Sequence, residues 1–262
     1  MIPFSDASAR LRSTPVVNNA LIGLNALVFL YEILIGGLRI LTGGVNRETL
    51  MFFHTWGFIP ADFHLRVALT PELAIQTTAV AWVSILSSMF IHGSLLHFVG
   101  NMAFLWVFGR NIEDRFGHLK YLVFYLLVGV AGTLTHWVID PLSPVPLVGA
   151  SGAISGVLGA YLLLYPYNRI RVLIIFFLIT AVQIPAMYML GFWFLLQLVQ
   201  GLMSLGLSQQ VNVAFFALIG GFLAGAAIVA VFKLLTGQPI WPPRQRSRSP
   251  GVRRYWRGRP LD

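Results

Sequence analysis

Residues 90–102 read FIHGSLLHFVGNM, residues 149–161 read GASGAISGVLGAY, and residues 213–225 read VAFFALIGGFLAG. All three stretches are apolar enough for a lipid bilayer. The first nevertheless carries His92, His97 and Asn101, and the second sets Ser151 between Gly149 and Gly152. Polar side chains are costly in hydrocarbon and mark function there. His97 and Asn101 stand four apart, so they share one face of a helix. Ser151 falls in a first helical turn, where unpaired backbone N–H groups and the helix dipole favour developing negative charge. In the third stretch Gly221 and Gly225 form a small-xxx-small pattern suited to close helix contact.

The surrounding chain sets the class. Of 262 residues, 57% are hydrophobic and 10% charged, whereas soluble domains carry about a quarter charged residues. Apolar runs cover 16–35, 121–139, 149–165, 172–207 and 211–235, and runs of roughly 18 residues or more match a bilayer core about 30 Å thick. The expectation is an all-α polytopic membrane protein with six transmembrane helices, at 16–36, 91–111, 119–139, 149–166, 171–204 (broken near Pro185) and 211–235. Arg10 and Arg12 precede the first run as in a signal peptide. That run is too long for a signal core, so it reads as an uncleaved first helix. There is no cysteine, which excludes disulfides, thiolate metal sites and cysteine nucleophiles.

Lys and Arg collect on the cytoplasmic side of membrane proteins. Arg10, Arg12, Arg110, Arg115, Lys120, Arg169 and Arg171 fall on one side, while the loops 140–148 and 208–212 hold neither residue type. Both termini are therefore expected in the cytoplasm, residues 1–15 forming the N-terminal segment and 16–238 the membrane domain. The loop 37–90 lies outside. It is rich in aromatics such as Phe52, Trp56, Phe63 and Trp82, and reads either as an interfacial segment or as a small extracytoplasmic cap. Residues 239–262 hold seven arginines and five prolines, too little apolar content to fold. This tail should attract anionic lipid headgroups at about 1 kcal/mol per arginine near the surface. No nucleic-acid partner is expected, because positive-inside anchoring accounts for the net charge of +9.

The second, fourth and sixth helices all run from outside to inside, so His92, His97, Asn101, Ser151 and the segment around Leu218 share the outer leaflet. A serine facing Asn and His donors suits acyl transfer. The competing reading makes Ser151 a packing residue and His92 an interfacial cap. Three polar sets at one depth favour chemistry. The remaining histidines His54, His64 and His118 read as solvated loop residues. No metal is expected, since the membrane histidines lack partner carboxylates at their depth, and no cofactor is implied.

In this order the motifs resemble the rhomboid family of intramembrane serine proteases, of bacterial type. HGSLLHFVGNM is similar to its second-helix pattern H-x4-H-x3-N, with Gly109 and Glu113 following as in many members. GASG resembles the nucleophile motif G-x-S-G, and Pro185, Trp193, Gln197 and GGFLAG fit the same pattern. The resemblance implies a six-helix bundle in a bacterial plasma membrane that cleaves transmembrane substrate helices near the membrane surface. Ser151 would be the nucleophile of a Ser–His dyad. Asn101, His97 and the Ser151 N–H would form the oxyanion hole, with His92 supporting them.

One position departs. Where the family's sixth helix carries A-H-I-G-G-F, this chain has Ala217, Leu218, Ile219, Gly220, Gly221 and Phe222. Leu218 cannot accept a proton, and a serine hydroxyl without an adjacent base is a poor nucleophile. The expectation is an inactive or strongly impaired serine endopeptidase. Three readings stay open: a pseudoprotease that binds or escorts membrane helices, an altered copy of an active enzyme, and an active enzyme with another base. For the last, His136 is the candidate, with Asp140 four residues on.

Overall fold

The computed structural model describes residues 2–8, 11–65, 78–175, 179–206 and 215–243, together with the backbone of 255–256 and 259–260. The chain opens with strand β1 (Ile2–Asp6) and then the long helix α1 (Val16–Gly36). Asn18, Leu21, Asn25, Phe29, Glu32 and Gly36 form the buried face of α1 at spacings of three and four. Leu24, Leu27, Leu30 and Leu34 point outward. That distribution, with polar residues inside and leucines outside, inverts the soluble amphipathic pattern and suits a lipid surround.

The segment after α1 is largely helical. A 3-10 turn (Gly37–Thr42) leads to α2 (Arg47–Trp56), capped by Asn46 accepting the Thr49 N–H, then α3 (Pro60–Leu65) and α4 (Thr78–Ser87). His54 and His64 belong to α2 and α3, which corrects their assignment to loops. Burial pushes the His54 imidazole below its ordinary pKa, and the Asp62 carboxylate opposes that shift.

Helix α5 (Leu95–Phe104) passes through a π-helical turn (Leu105–Gly109) into α6 (Arg110–Phe116). Such turns misalign the carbonyl ladder. Here Asn18 Nδ2 donates to the Leu105 carbonyl at 3.2 Å, and Tyr121 OH donates to Asn18 Oδ1 at 2.7 Å. At the same end Glu113 accepts the N–H groups of Val17 (2.9 Å) and Asn18 (2.7 Å). A carboxylate thus caps the positive end of α1. His118, half-exposed, also bonds Glu113, so it too is no solvated loop residue.

Helix α7 (His118–Ile139) leads to α8 (Ser151–Leu164), whose residues from Gly152 to Tyr161 are all buried. The final helices are α9 (Ala186–Gly206) and α10 (Phe215–Leu235). Helix α8 is the core of the bundle, packed chiefly on α7 and α10.

The expected fifth helix at 171–204 is corrected. Arg169–Ile175 and Ile179–Pro185 are the antiparallel strands β2 and β3, and β1 pairs with β2. The reason is legible in RIRV, where Ile170 and Val172 are buried while Arg169 and Arg171 are exposed. That is a period of two, not 3.6. Proline offers no N–H and disfavours helix before it, so α9 begins just after Pro185. The N-terminal segment is anchored too, because the Asp6 carboxylate accepts from Tyr161 OH (2.5 Å) and Asn168 Nδ2 (2.9 Å). In the tail, which was expected to be without structure, Tyr255–Trp256 (β4) pairs with Arg259–Pro260 (β5).

Among the described residues, four helices are long and apolar enough to cross a membrane: Val16–Thr42, His118–Ile139, Ala186–Ser204 and Phe215–Leu235. Trp82–Phe90 and Leu95–Phe116 make a fifth candidate if counted as one span, bent by 88°. The apolar helix Ser151–Leu164 is shorter. The protein is therefore a multi-pass helical membrane protein with four to five candidate spans.

Candidate active site

The site is built where two helices begin. Helix α5 starts after Ser94, whose hydroxyl accepts the His97 N–H at 3.2 Å. The cap fixes the first turn and projects His97 and, one turn on, Asn101 along one face. Helix α8 starts at Ser151, two residues after Gly149 with φ 128°, a conformation that side chains oppose. A Cβ on Gly149 would lie 2.8 Å from His97 Nε2 and 3.6 Å from Ser151 Oγ. The missing side chain thus lets the His97 ring and the serine share one small space. The Gly149 N–H donates to the Ser88 carbonyl at 2.8 Å, which holds the turn in place.

Ser151, His97, Asn101, Leu218 and His136 all line one open cavity of about 1190 Å³, with Trp193 and Gln197 of α9 on its wall. Asn101 lines the cavity and is buried, and its Nδ2 has no hydrogen-bond partner among the described residues, so this donor is uncommitted. The loop 142–148 borders the opening. It is tied to the first loop by reciprocal bonds between Phe58 and Leu147 (3.0 and 2.7 Å) and by the Ala61 N–H to the Ser143 carbonyl (3.1 Å).

Leu218 reaches the cavity because α10 lies hard against α8 and α7. The Ala217 carbonyl approaches Gly132 of α7 and Gly152 of α8. Leu218, next to Ala217, thereby joins the lining of the cavity that Ser151 also borders. His136 is one turn beyond Gly132 on the same face of α7, and its Nδ1 is buried without a hydrogen-bond partner among the described residues.

His92 stands apart from the other site residues. It is fully buried and does not line the cavity, yet its ring meets that of His97 at a centroid distance of 5.1 Å. Both of its ring nitrogens lack hydrogen-bond partners among the described residues. Its backbone N–H donates to both oxygens of Glu32, at 2.9 and 3.2 Å. Glu32 was missed in the sequence, and it corrects the premise that the membrane histidines have no carboxylate at their depth. The signal was available: an acid within the run LVFLYEILIG, three residues after Phe29 on the buried stripe of α1.

A hydroxyl at a helix start, an uncommitted amide donor and an imidazole around one cavity can stabilise an oxyanion. No group at position 218 can take the hydroxyl proton.

Residues 79–234 match the Rhomboid domain family. The chain is 32% identical over 147 residues to Rhomboid protease GluP of Bacillus subtilis, covering 56% of this chain and 26% of that protein. It is 28% identical over 158 residues to Rhomboid-like protease 3 of Toxoplasma gondii, covering 60% and 54%. Over 92 residues it is 34% identical to Rhomboid protein 1, mitochondrial, of Saccharomyces cerevisiae, covering 34% and 27%. The chain spans about a quarter to about half the length of these curated relatives.

Proposed function

This chain belongs to the rhomboid family, and from that premise we propose that it is an intramembrane serine endopeptidase scaffold with its nucleophile and oxyanion donors in place and its general base missing. Ser151 is the nucleophile, Asn101 and His97 hold the oxyanion, His92 supports them, and Leu218 occupies the position of the base. The observation that carries this reading is the shared cavity of Ser151, His97, Asn101 and Leu218. Substrates are transmembrane segments that unwind near the outer surface and present a peptide bond to Ser151. Removing a base in serine proteases costs on the order of 10⁴–10⁶ in rate, so the chain as it stands is inert or nearly so.

The proposed topology has six passes with both termini cytoplasmic, in a bacterial plasma membrane, an orientation supported by the Lys and Arg distribution. The pass that completes the six is α8, fourth in chain order and about 21 Å long at 1.5 Å per residue. It can be short because its neighbours, not lipid, surround it, and its short span sets Ser151 below the outer surface. The arginine-rich tail meets anionic headgroups on the inner side. The apolar Leu218 side chain also favours a second reading, a non-catalytic member that binds or escorts membrane helices.

The test is reconstitution in liposomes with a fluorogenic transmembrane substrate. It compares the chain as given, Leu218→His, and Leu218→His with Ser151→Ala. Cleavage gained by the first change and lost with the second supports a dyad disabled at one position. Cleavage by the unchanged chain that His136→Ala abolishes would overturn the missing base. An inert Leu218→His variant whose chain still photocrosslinks to a transmembrane peptide would favour the binding reading.

A further inference from the structure

The backbone between the bent helices is where both site histidines are set. Residues 91–94 lie between the Trp82–Phe90 and Leu95–Phe116 segments, at the 88° bend. A bend of that size takes the His92 N–H out of the helical ladder, and a buried N–H without a partner is costly. Glu32 supplies the partner with both carboxylate oxygens. At the other end of the same turn, Ser94 Oγ takes the His97 N–H. Two side chains thus pin the four-residue turn. One of them comes from α1, 60 residues away in sequence.

The ring stacking continues from there. Glu32 is fully buried, as is His92. The His92 ring is held edge-on by Phe29 (6.5 Å) and Phe98 (5.4 Å), which themselves stack at 4.7 Å. The next ring along is His97, against the cavity. Phe29 and Glu32 share the buried face of α1. A shift of the His92 backbone therefore moves the surface on which His97 rests.

We propose that Glu32 is a positioning residue of the active site: by accepting the His92 N–H it fixes the turn 91–94 and, through the His92 ring, the place of His97 beside Ser151. The inference rests on the reading of His97 as an oxyanion donor. It assigns a site role to α1, which contributes nothing to the cavity lining itself. The relevant property of Glu32 is its acceptor oxygen. Its charge is incidental.

The test uses the full chain in liposomes, on the Leu218→His background, with Glu32→Leu, Glu32→Asp and Glu32→Gln. Leucine removes the acceptor, aspartate withdraws it by one methylene, and glutamine keeps an oxygen in place. A misplacement of about 1 Å at a reacting centre can cost about 100-fold. The expected result is a kcat lower by about 10- to 100-fold for Leu, a smaller loss for Asp, and near-parental kcat for Gln, all with KM unchanged. Asp and Gln keep the proposal testable if the Leu variant does not fold. Parental kcat in the Asp variant, or a Gln variant that falls below the Asp variant, would overturn it.

A readout independent of cleavage separates this inference from the proposed function. Imidazole ¹⁵N resonances, with His97 assigned by its loss in His97→Gln, are recorded for the chain as given and for its Glu32 variants. Displacement by Leu and Asp but not by Gln supports the positioning role even if Leu218→His proves inert. Unmoved His97 resonances in the Asp variant sink it even if Leu218→His cleaves.

Discussion

Gly221 of α10 faces the backbone carbonyl of Gly152 of α8 so closely that a Cβ on Gly221 would fall onto that oxygen. Gly225 stands in the same relation to the Gly156 carbonyl one turn below. The two helices meet backbone to backbone, and the register of that contact decides which residues of α10 reach the cavity that Ser151 lines. Without a hydrophobic drive between helices in lipid, such close packing and its dispersion contacts hold the pair together.

Gly221→Ala should therefore destabilise the bundle by about 1–3 kcal/mol, the usual cost of overpacking. Denaturation in mixed detergent micelles measures it. An alanine at the exposed Gly23 of α1, where an added Cβ meets nothing within 4 Å, should leave stability unchanged or slightly raised. Equal effects at both positions would contradict the packing account.

The second prediction concerns the uncommitted amide. On the Leu218→His background, Asn101→Ala should lower kcat by about 10²–10³, the usual cost of losing one oxyanion donor. KM should change little, because the bond forms only as charge develops. A rise in KM at constant kcat would mean that Asn101 binds the substrate and does not stabilise its transition state.

Glu113→Ala should strike stability and spare the site. It would strand the Val17 and Asn18 N–H groups at the start of α1, at roughly 1–3 kcal/mol for a buried polar group left unpaired. Denaturation midpoints should fall while His97 resonances stay put. Movement of those resonances would show that the capped end of α1 and the Glu32 end are coupled.

Gly149→Ala tests the turn before Ser151. A side chain at φ 128° costs on the order of 1–3 kcal/mol, and its Cβ would press on the His97 ring at 2.8 Å. On the Leu218→His background cleavage should fall at least tenfold, about 1.4 kcal/mol in barrier. Unchanged cleavage would show that the His97 ring moves aside without consequence.

Much of this was readable from residues in order. Transfer energies are nearly local, so the apolar runs of α1, α7 and α10 declared a membrane protein by themselves. The polar residues that such runs cannot carry cheaply, His97, Asn101 and Ser151, marked the candidate site, and they line one cavity. The stretch from Ala217 to Phe222 resembles the family's sixth-helix motif with Leu218 where that motif carries histidine. What local composition misjudged was the segment 169–185. There apolar content suggested a helix while the alternation of Arg169, Ile170, Arg171 and Val172, together with Pro185, produced a strand pair. The partner of the His92 N–H could not be read at all. An acid in α1 and a bent turn 60 residues later have no sequence pattern in common. Only the packing of α1 against that turn brings them together, because a buried N–H must find an acceptor in three dimensions and the chain's local order does not say which one.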